Sequence, residues 1–344
     1  MTESLRYAVV GCSGVGNTHA KAIAELDRAE LVACCDINND AAATFGENYG
    51  VDLTFTDVGE MVEKADVDAL SVCTPSGTHA DLVIEAANAG ADILCEKPLD
   101  VYAEQINAML DAVDDAGVTL GTVFQRRLRP EIRGIKTHVD EGGIGQPILG
   151  DVRVKWFRSQ SYYDSGDWRG TRDMDGGCMM NQGVHDIDIF QWLMGDVTAV
   201  TAMTGTIARK LECEDTAVVA VEFDHGGLGA IEVTTAVNGG TDSLELNGTE
   251  GSIRLRNWNI EEAVVGDGET SQYNAETAPI EITPEPHPHG TGHIGIIADF
   301  VDAILNNRKP EVTGKEGRNA VDIVLAAYRS ADESRRVELD ELRE

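Results

Sequence analysis

The sequence predicts a two-part α/β plus α+β chain. A doubly wound parallel sheet over residues 1–124 precedes a unit with a largely antiparallel sheet and flanking helices over 125–344. Three observations carry this. Short apolar runs alternate with helix-spaced segments in the first third. That alternation stops near residue 125, where strand-like runs follow one another without helices. At 344 residues the chain can also bury the cores of two domains.

The elements follow in order. Runs 5–10 (LRYAVV), 31–35 (LVACC), 68–73 (DALSVC), 92–95 (DILC) and 118–124 (VTLGTVF) are predicted strands. Helical spacing falls at 17–27, 40–49, 78–89 and 101–116, and the last two segments run into a Gly stop. Strand and helix in alternation, with short connections, make a parallel sheet. A helix over 130–141 leads to "EGGIGQP". Strands are then expected at 148–158, 197–208, 215–224, 228–237, 243–248 and 251–256, interrupted by a helix at 183–194. Helices at 293–306 and 317–334 close the chain, and they are candidates to pack back on the first unit.

Charge narrows the partners. Asp and Glu number 60 against 27 Lys and Arg, a net charge of −33. Nucleic acid and anionic membranes require a basic face, so neither is expected as a partner. The acids are spread along the whole chain, the pattern of a halophile's soluble protein in which salt screens self-repulsion. No stretch reaches transmembrane length and no secretory leader is visible. The seven Cys form no C-x-x-C motif and read as small buried residues in a reducing, cytoplasmic compartment.

The first strand–helix junction, "VVGCSGVGNTH", points to a cofactor. Gly11, Ser13, Gly14, Val15 and Gly16 occupy the position of a dinucleotide-binding G-x-G-x-x-G loop, with Ser13 at the middle glycine. Asp36 ends the second strand, where an acid accepts the adenosine ribose hydroxyls and repels a 2′-phosphate. NAD is therefore expected and NADP disfavoured, since "CDINND" offers no Arg for the extra phosphate. Thr74, Pro75 and Ser76 follow one strand and Glu96, Lys97 and Pro98 another. Both groups lie at the carboxyl edge, where such sheets bind ligands. In "GGCMMNQGVHDIDIFQWLMG", His185 and Asp188 are three apart on a helix and Asn181 lies four before His185. A His there can bond a substrate hydroxyl and shuttle a proton. Metal ligation by His185, Asp186 and Asp188, or by His287, His289 and His293, matches no strong zinc spacing, so no metal is expected.

In order, "GCSGVGNTHAKAI", "TPSGTHAD", "EKPLD", "QRRLRP", "GGCMMNQGVHDIDIFQWLMGDV", "LNGTEGSIRL" and "GHIGIIADFVDAI" resemble the Gfo/Idh/MocA family of NAD(P)-dependent oxidoreductases. The resemblance spans about residues 5–338. It implies a Rossmann domain followed by a substrate-binding and oligomerisation domain, and a catalytic Lys97 before an often-cis Pro98. It also implies cofactor contacts by His79, Glu96, Lys97 and Gln125. Substrate contacts would come from Lys97, Arg126, Trp168, Arg169, Asn181 and His185. Asn181 stands where the family usually has Asp, and Gln125 where Asn is common. His19 and His79 match family positions, with a capping or packing role equally open. Arg126 and Arg127 either contact substrate or pair with acids. The expected activity is hydride transfer between NAD and a hydroxyl carbon of a sugar, sugar derivative or cyclitol, in a homodimer or homotetramer. The alternatives are redox-assisted glycoside hydrolysis and a non-catalytic regulatory protein. Retention of both Lys97 and His185 favours an enzyme.

Overall fold

The computed structural model describes residues 4–266 and 278–343. The first elements in chain order are β1 (Leu5–Val10), α1 (Gly16–Ala24), β2 (Ala29–Cys35), α2 (Asn39–Tyr49), β3 (Leu53–Phe55), α3 (Val58–Ala65), β4 (Ala69–Val72), α4 (His79–Asn88), β5 (Asp92–Cys95), α5 (Ala103–Ala116), β6 (Leu120–Thr122) and α6 (Pro130–Asp140). Next come β7 (Pro147–Lys155), α7 (Gln160–Tyr163), α8 (Val184–Met194), β8 (Val197–Gly205), β9 (Thr216–Phe223), β10 (Leu228–Thr234), β11 (Ser243–Gly248), β12 (Gly251–Arg256) and β13 (Asn259–Val265). Last are β14 (Ala278–Pro279), α9 (Gly292–Leu305), α10 (Gly314–Glu333) and β15 (Val337–Glu338). The chain divides into two units, Met1–Gln125 with Pro288–Arg318, and Arg126–His287 with Asn319–Glu344.

In the first unit six parallel strands run in the order β3-β2-β1-β4-β5-β6, the doubly wound arrangement that opens a ligand crevice beyond the carboxyl ends of β1 and β4. β4 is buried along its whole length, as a sheet covered on both faces requires. Asn38 caps α2 through the amides of Asp40 and Ala41, and Gly50 ends it at φ 71°. The sequence pattern omits β3 and α3. β3 has only three residues, too few for an apolar run to stand out, and α3 has eight behind the cap Asp57. From the later chain, α9 packs on α1, and Phe300 lies where a side chain at Gly121 of β6 would stand, 3.0 Å from its ideal Cβ.

The second unit is built on a nine-stranded sheet, β14-β13-β12-β11-β7-β10-β9-β8-β15. Its pairs are antiparallel except β7 with β10, which run parallel. α8 covers one face and is buried almost all round, its polar His185, Asp186, Asp188 and Gln191 included. It approaches closely because Gly150 and Gly229 leave room for the Phe190 ring; a Cβ at either would lie 2.8 Å from it. The strands alternate buried and open residues, as in β9, where Ala217, Val219, Val221 and Phe223 are buried and the residues between them are not, so the other face stays open. β13 was not expected. It follows a turn in which Asn257 and Trp258 both have positive φ, and a Trp there conceals the usual hairpin signal. Among the described residues no helix is long and apolar enough to cross a membrane.

Candidate active site

The loop after β1 is shaped for close approach. Gly11 has φ 95°, and a Cβ on it would lie 2.7 Å from the Cys73 carbonyl oxygen. A Cβ on Gly16 would lie 2.0 Å from the Gly11 carbonyl oxygen, so α1 can start there only with glycine. No side chain caps α1; the Gly16 and Thr18 amides bond the Ser13 and Val15 carbonyls, and the positive end of the helix dipole lies at the loop. Ser13 and Gly14 line a cleft of about 450 Å³ with Asn17, Asn38 and Asp40. The Asp36 carboxylate is oriented by the amides of Cys12 and Asn38, each at 2.9 Å. Each of its oxygens keeps a lone pair for a ribose hydroxyl. The loop, the uncapped helix and the acid together fit NAD.

The turns after β4 and β5 are tied together. The His79 ring nitrogens lie 2.9 Å from the Thr74 carbonyl and 2.8 Å from the Pro98 carbonyl. His79 is thus a tie between two loops, with Pro75 and buried Ser76 between it and β4. The Lys97–Pro98 peptide is cis. The Lys97 amide donates to Glu96 Oε2 at 3.2 Å. Glu96 Oε1 lies 3.0 Å from His19 Nε2 and 3.4 Å from His293 Nε2. Burial opposes ionisation of Glu96, but the bonds and charge from the two His outweigh it and hold the carboxyl well below its usual range. Behind them, Ser71 Oγ stands 2.8 Å from His19 Nδ1 and 2.9 Å from the fully buried Tyr7 hydroxyl. Tyr7 needs an acceptor, which Ser71 Oγ supplies, and the Glu96 carboxylate can only accept, so His19 donates from Nε2 to Glu96. The donor atoms of His19, Glu96 and His293 lie within 4.8 Å of one another, a grouping that could hold a metal ion and that the sequence spacing did not announce.

In the second unit the chain enters α8 through one π-helical turn, Met179–Gly183. His185 is buried on the first turn of α8. Asn181 donates its amide to Asp175 Oδ1 and accepts from Gln182 at 3.1 Å. The buried Asp175 thus places a carboxyl oxygen against Asn181, which stands where the family usually has Asp. Arg126 pairs with Asp186 at 2.6 Å and Arg127 forms a bidentate pair with Asp188. Both arginines are therefore bound to acids, and Asp188 is engaged away from a metal. Burial pushes the Asp186 carboxyl up to about 8, although Arg126 pulls it back. The π turn rests on Glu214, which accepts from the Met179 amide at 2.9 Å and the Tyr328 hydroxyl at 3.1 Å. Burial raises this acid to about 7. Trp168 and Arg169 stack on each other at 4.3 Å, and Arg169 donates to the Tyr162 hydroxyl. Gln125, just past β6, keeps a buried side-chain oxygen without a hydrogen-bond partner. Lys97 belongs to the first unit and His185 to the second.

Residues 5–124 match the oxidoreductase family model of an NAD-binding Rossmann fold, and residues 136–339 that of the family's C-terminal alpha/beta domain. The chain belongs to the Gfo/Idh/MocA oxidoreductase family. Among its relatives is a myo-inositol 2-dehydrogenase of Thermotoga maritima, 28% identical, with 98% of this chain and 99% of that one covered. A D-apiose dehydrogenase of Paraburkholderia graminis is also 28% identical, covering 99% of this chain and 91% of that one. The structure of the WlbA dehydrogenase from Bordetella pertussis, in complex with NADH and UDP-GlcNAcA, is 32% identical, covers 98% and 99% of the two chains, and has a TM-score of 0.86. The Gfo/Idh/MocA chain is thus an NAD-dependent oxidoreductase, as its glycine loop and Asp36 imply.

Sequence reasoning missed Asp175, Glu214 and Arg158, whose guanidinium stacks on Tyr162. A signal for the last existed. Trp156, Phe157, Tyr162, Tyr163 and Trp168 crowd one stretch of a chain that is only 5% aromatic.

Proposed function

We propose that the protein oxidises a hydroxyl carbon of a sugar, sugar derivative or cyclitol, with Lys97 and His185 handling the hydroxyl proton. NAD, when bound, takes up the hydride. Gly11, Gly14, Gly16 and Asp36 hold its pyrophosphate and ribose, and Thr74, Pro75, Ser76, His79 and Gln125 complete its wall. His185 accepts the hydroxyl proton, Asn181 orients the substrate, and the Lys97 ammonium stabilises the developing alkoxide. Trp168 and Arg169 contact the substrate. The observation that carries this reading is the turn after β5. Its Lys97 backbone is pinned from one side by Glu96 and its Pro98 carbonyl from the other by His79. The myo-inositol and D-apiose dehydrogenases, and the WlbA complex with UDP-GlcNAcA, support the substrate class.

The protein works in the cytoplasm as a homodimer or homotetramer, joined through the open face of the nine-stranded sheet. Exposed Leu149, Met203, Val218 and Leu228 on β7 to β10 support that surface. The test of the activity is a screen of NAD reduction over sugars, sugar acids and inositols. Turnover with at least one is expected, and none across the panel would overturn the reading.

A further inference from the structure

The four arginines 158, 169, 172 and 209 form no ion pair with a carboxylate among the described residues, in a chain with a net charge of −33. Acids are on offer everywhere else. Arg153, Arg254, Arg308, Arg335 and Arg336 each hold carboxylates. The exceptions all fall in the second unit.

Three of them are also fixed by aromatic rings. The Arg158 guanidinium lies 5.4 Å from the Trp156 ring and 4.9 Å from Tyr162. The Arg169 guanidinium lies 4.5 Å from the same Tyr162 ring. Arg209 lies 5.1 Å from Phe157 and donates Nε to the Arg158 carbonyl at 2.6 Å. Stacking occupies the faces of a guanidinium and leaves its edge donors for an acceptor in plane. Two such donors, Arg158 Nε and Arg209 Nη2, are buried without a partner. A buried unpaired donor is destabilising, and an acceptor supplied by a ligand relieves it. The nearby acids are engaged elsewhere. Asp215 takes the amides of Ile207, Ala208 and Arg209, and Asp164 takes Gln160. The stack also continues from Trp156 to Arg126, 5.9 Å away, whose partner Asp186 adjoins His185.

We propose that Arg158, with Arg169 and Arg209, forms a substrate subsite for a phosphate or carboxylate group carried by the sugar. This rests on the polyol-oxidation reading and narrows it to anionic sugars. A neutral polyol needs no such group. A strongly acidic protein repels an anionic substrate at long range, so a local cationic patch is the requirement for binding one. The planar fork matches either oxyanion.

The test uses the full chain loaded with NADH, titrated in a calorimeter at fixed ionic strength. The probes are D-glucose, D-glucuronate, glucose 1-phosphate, UDP-glucose and inorganic pyrophosphate. An anionic sugar should bind at least about tenfold tighter than glucose, and the winning probe tells carboxylate from phosphate. Arg158→Gln should lose about tenfold of that affinity or more and keep NADH affinity, and Arg158→Lys should recover part of the loss. Equal binding of glucose and all anionic probes would overturn the subsite. So would an Arg158→Gln protein with unchanged anion affinity, or one weakened equally toward glucose, which would make the stack mere loop packing. Failure of the oxidation reading looks different, with anion affinity intact but no NAD reduction by any sugar.

Discussion

Lys97 closes a buried strand with a cation, and its neighbours show why the position is held. Glu96 is kept ionised by His19 and His293 and fixes the Lys97 amide. If Lys97 faces the reacting hydroxyl, Lys97→Ala should lower kcat by about 100-fold or more, by analogy with removing one oxyanion donor. NADH affinity should hold, because the glycine loop and Asp36 lie on other elements. A near-normal kcat in steady-state assays would remove Lys97 from the chemistry. Asp36 has an equally local test. Its carboxylate is aimed by two backbone amides rather than left to rotate, so NAD should be strongly preferred to NADP. In Asp36→Asn that ratio should fall by roughly tenfold or more, the worth of a charge-assisted bond. An unchanged ratio of kcat/KM values would place the ribose elsewhere.

At the level of elements, the π turn before His185 depends on one buried acid. Burial raises Glu214 from 4.5 to about 7. Its neutral form is therefore preferred in the folded state. The stability this gives is complete below the unfolded value of about 4.5 and is lost as pH rises through about 7. The loss is roughly 3 kcal/mol by linkage. Glu214→Gln keeps an acceptor for Met179 and Tyr328 but cannot ionise. Its urea midpoint should fall less between pH 5 and 8 than the parent's, the remaining slope coming from the raised Asp186 carboxyl; parallel profiles would show that Glu214 does not titrate there. Such a residue shows the limit of legibility. The parallel strands, Asp36, Lys97 and the helix bearing His185 were visible because each rests on a local pattern of apolar runs, glycines or a short motif. Glu214 and Asp175 act through contacts with Tyr328, Met179 and Asn181 that no spacing announces. Arg158 meets Arg209 only once two segments distant in sequence have folded together. β14 and β15, at two residues each, exist by pairing with β13 and β8 and have no pattern of their own.

For the whole molecule, the decisive quantity is charge. Sixty acids against 27 bases leave a large excess that surface ion pairs cannot neutralise. Individual exposed pairs, such as Arg336 with Glu222, are each worth little and weaken with salt. The excess repulsion acts over the screening length, about 10 Å at 0.1 M salt and about 3 Å at 1 M. Screening therefore removes more repulsion than attraction, and Tm should rise as NaCl increases from 0.1 to 2 M. Association follows the same arithmetic with a stronger dependence, because joining two copies brings two charges of −33 together. The open sheet face offers apolar contact to oppose that repulsion, with Met203 79% exposed beside Val218 at 54%. Light scattering should therefore find a dimer or tetramer at high salt that dissociates on dilution of the salt. Met203→Glu should weaken it further by placing a charge in the apolar contact. A monomer at 2 M NaCl would reject this face as the interface. A Tm that falls with salt would show that the paired charges outweigh the unpaired excess.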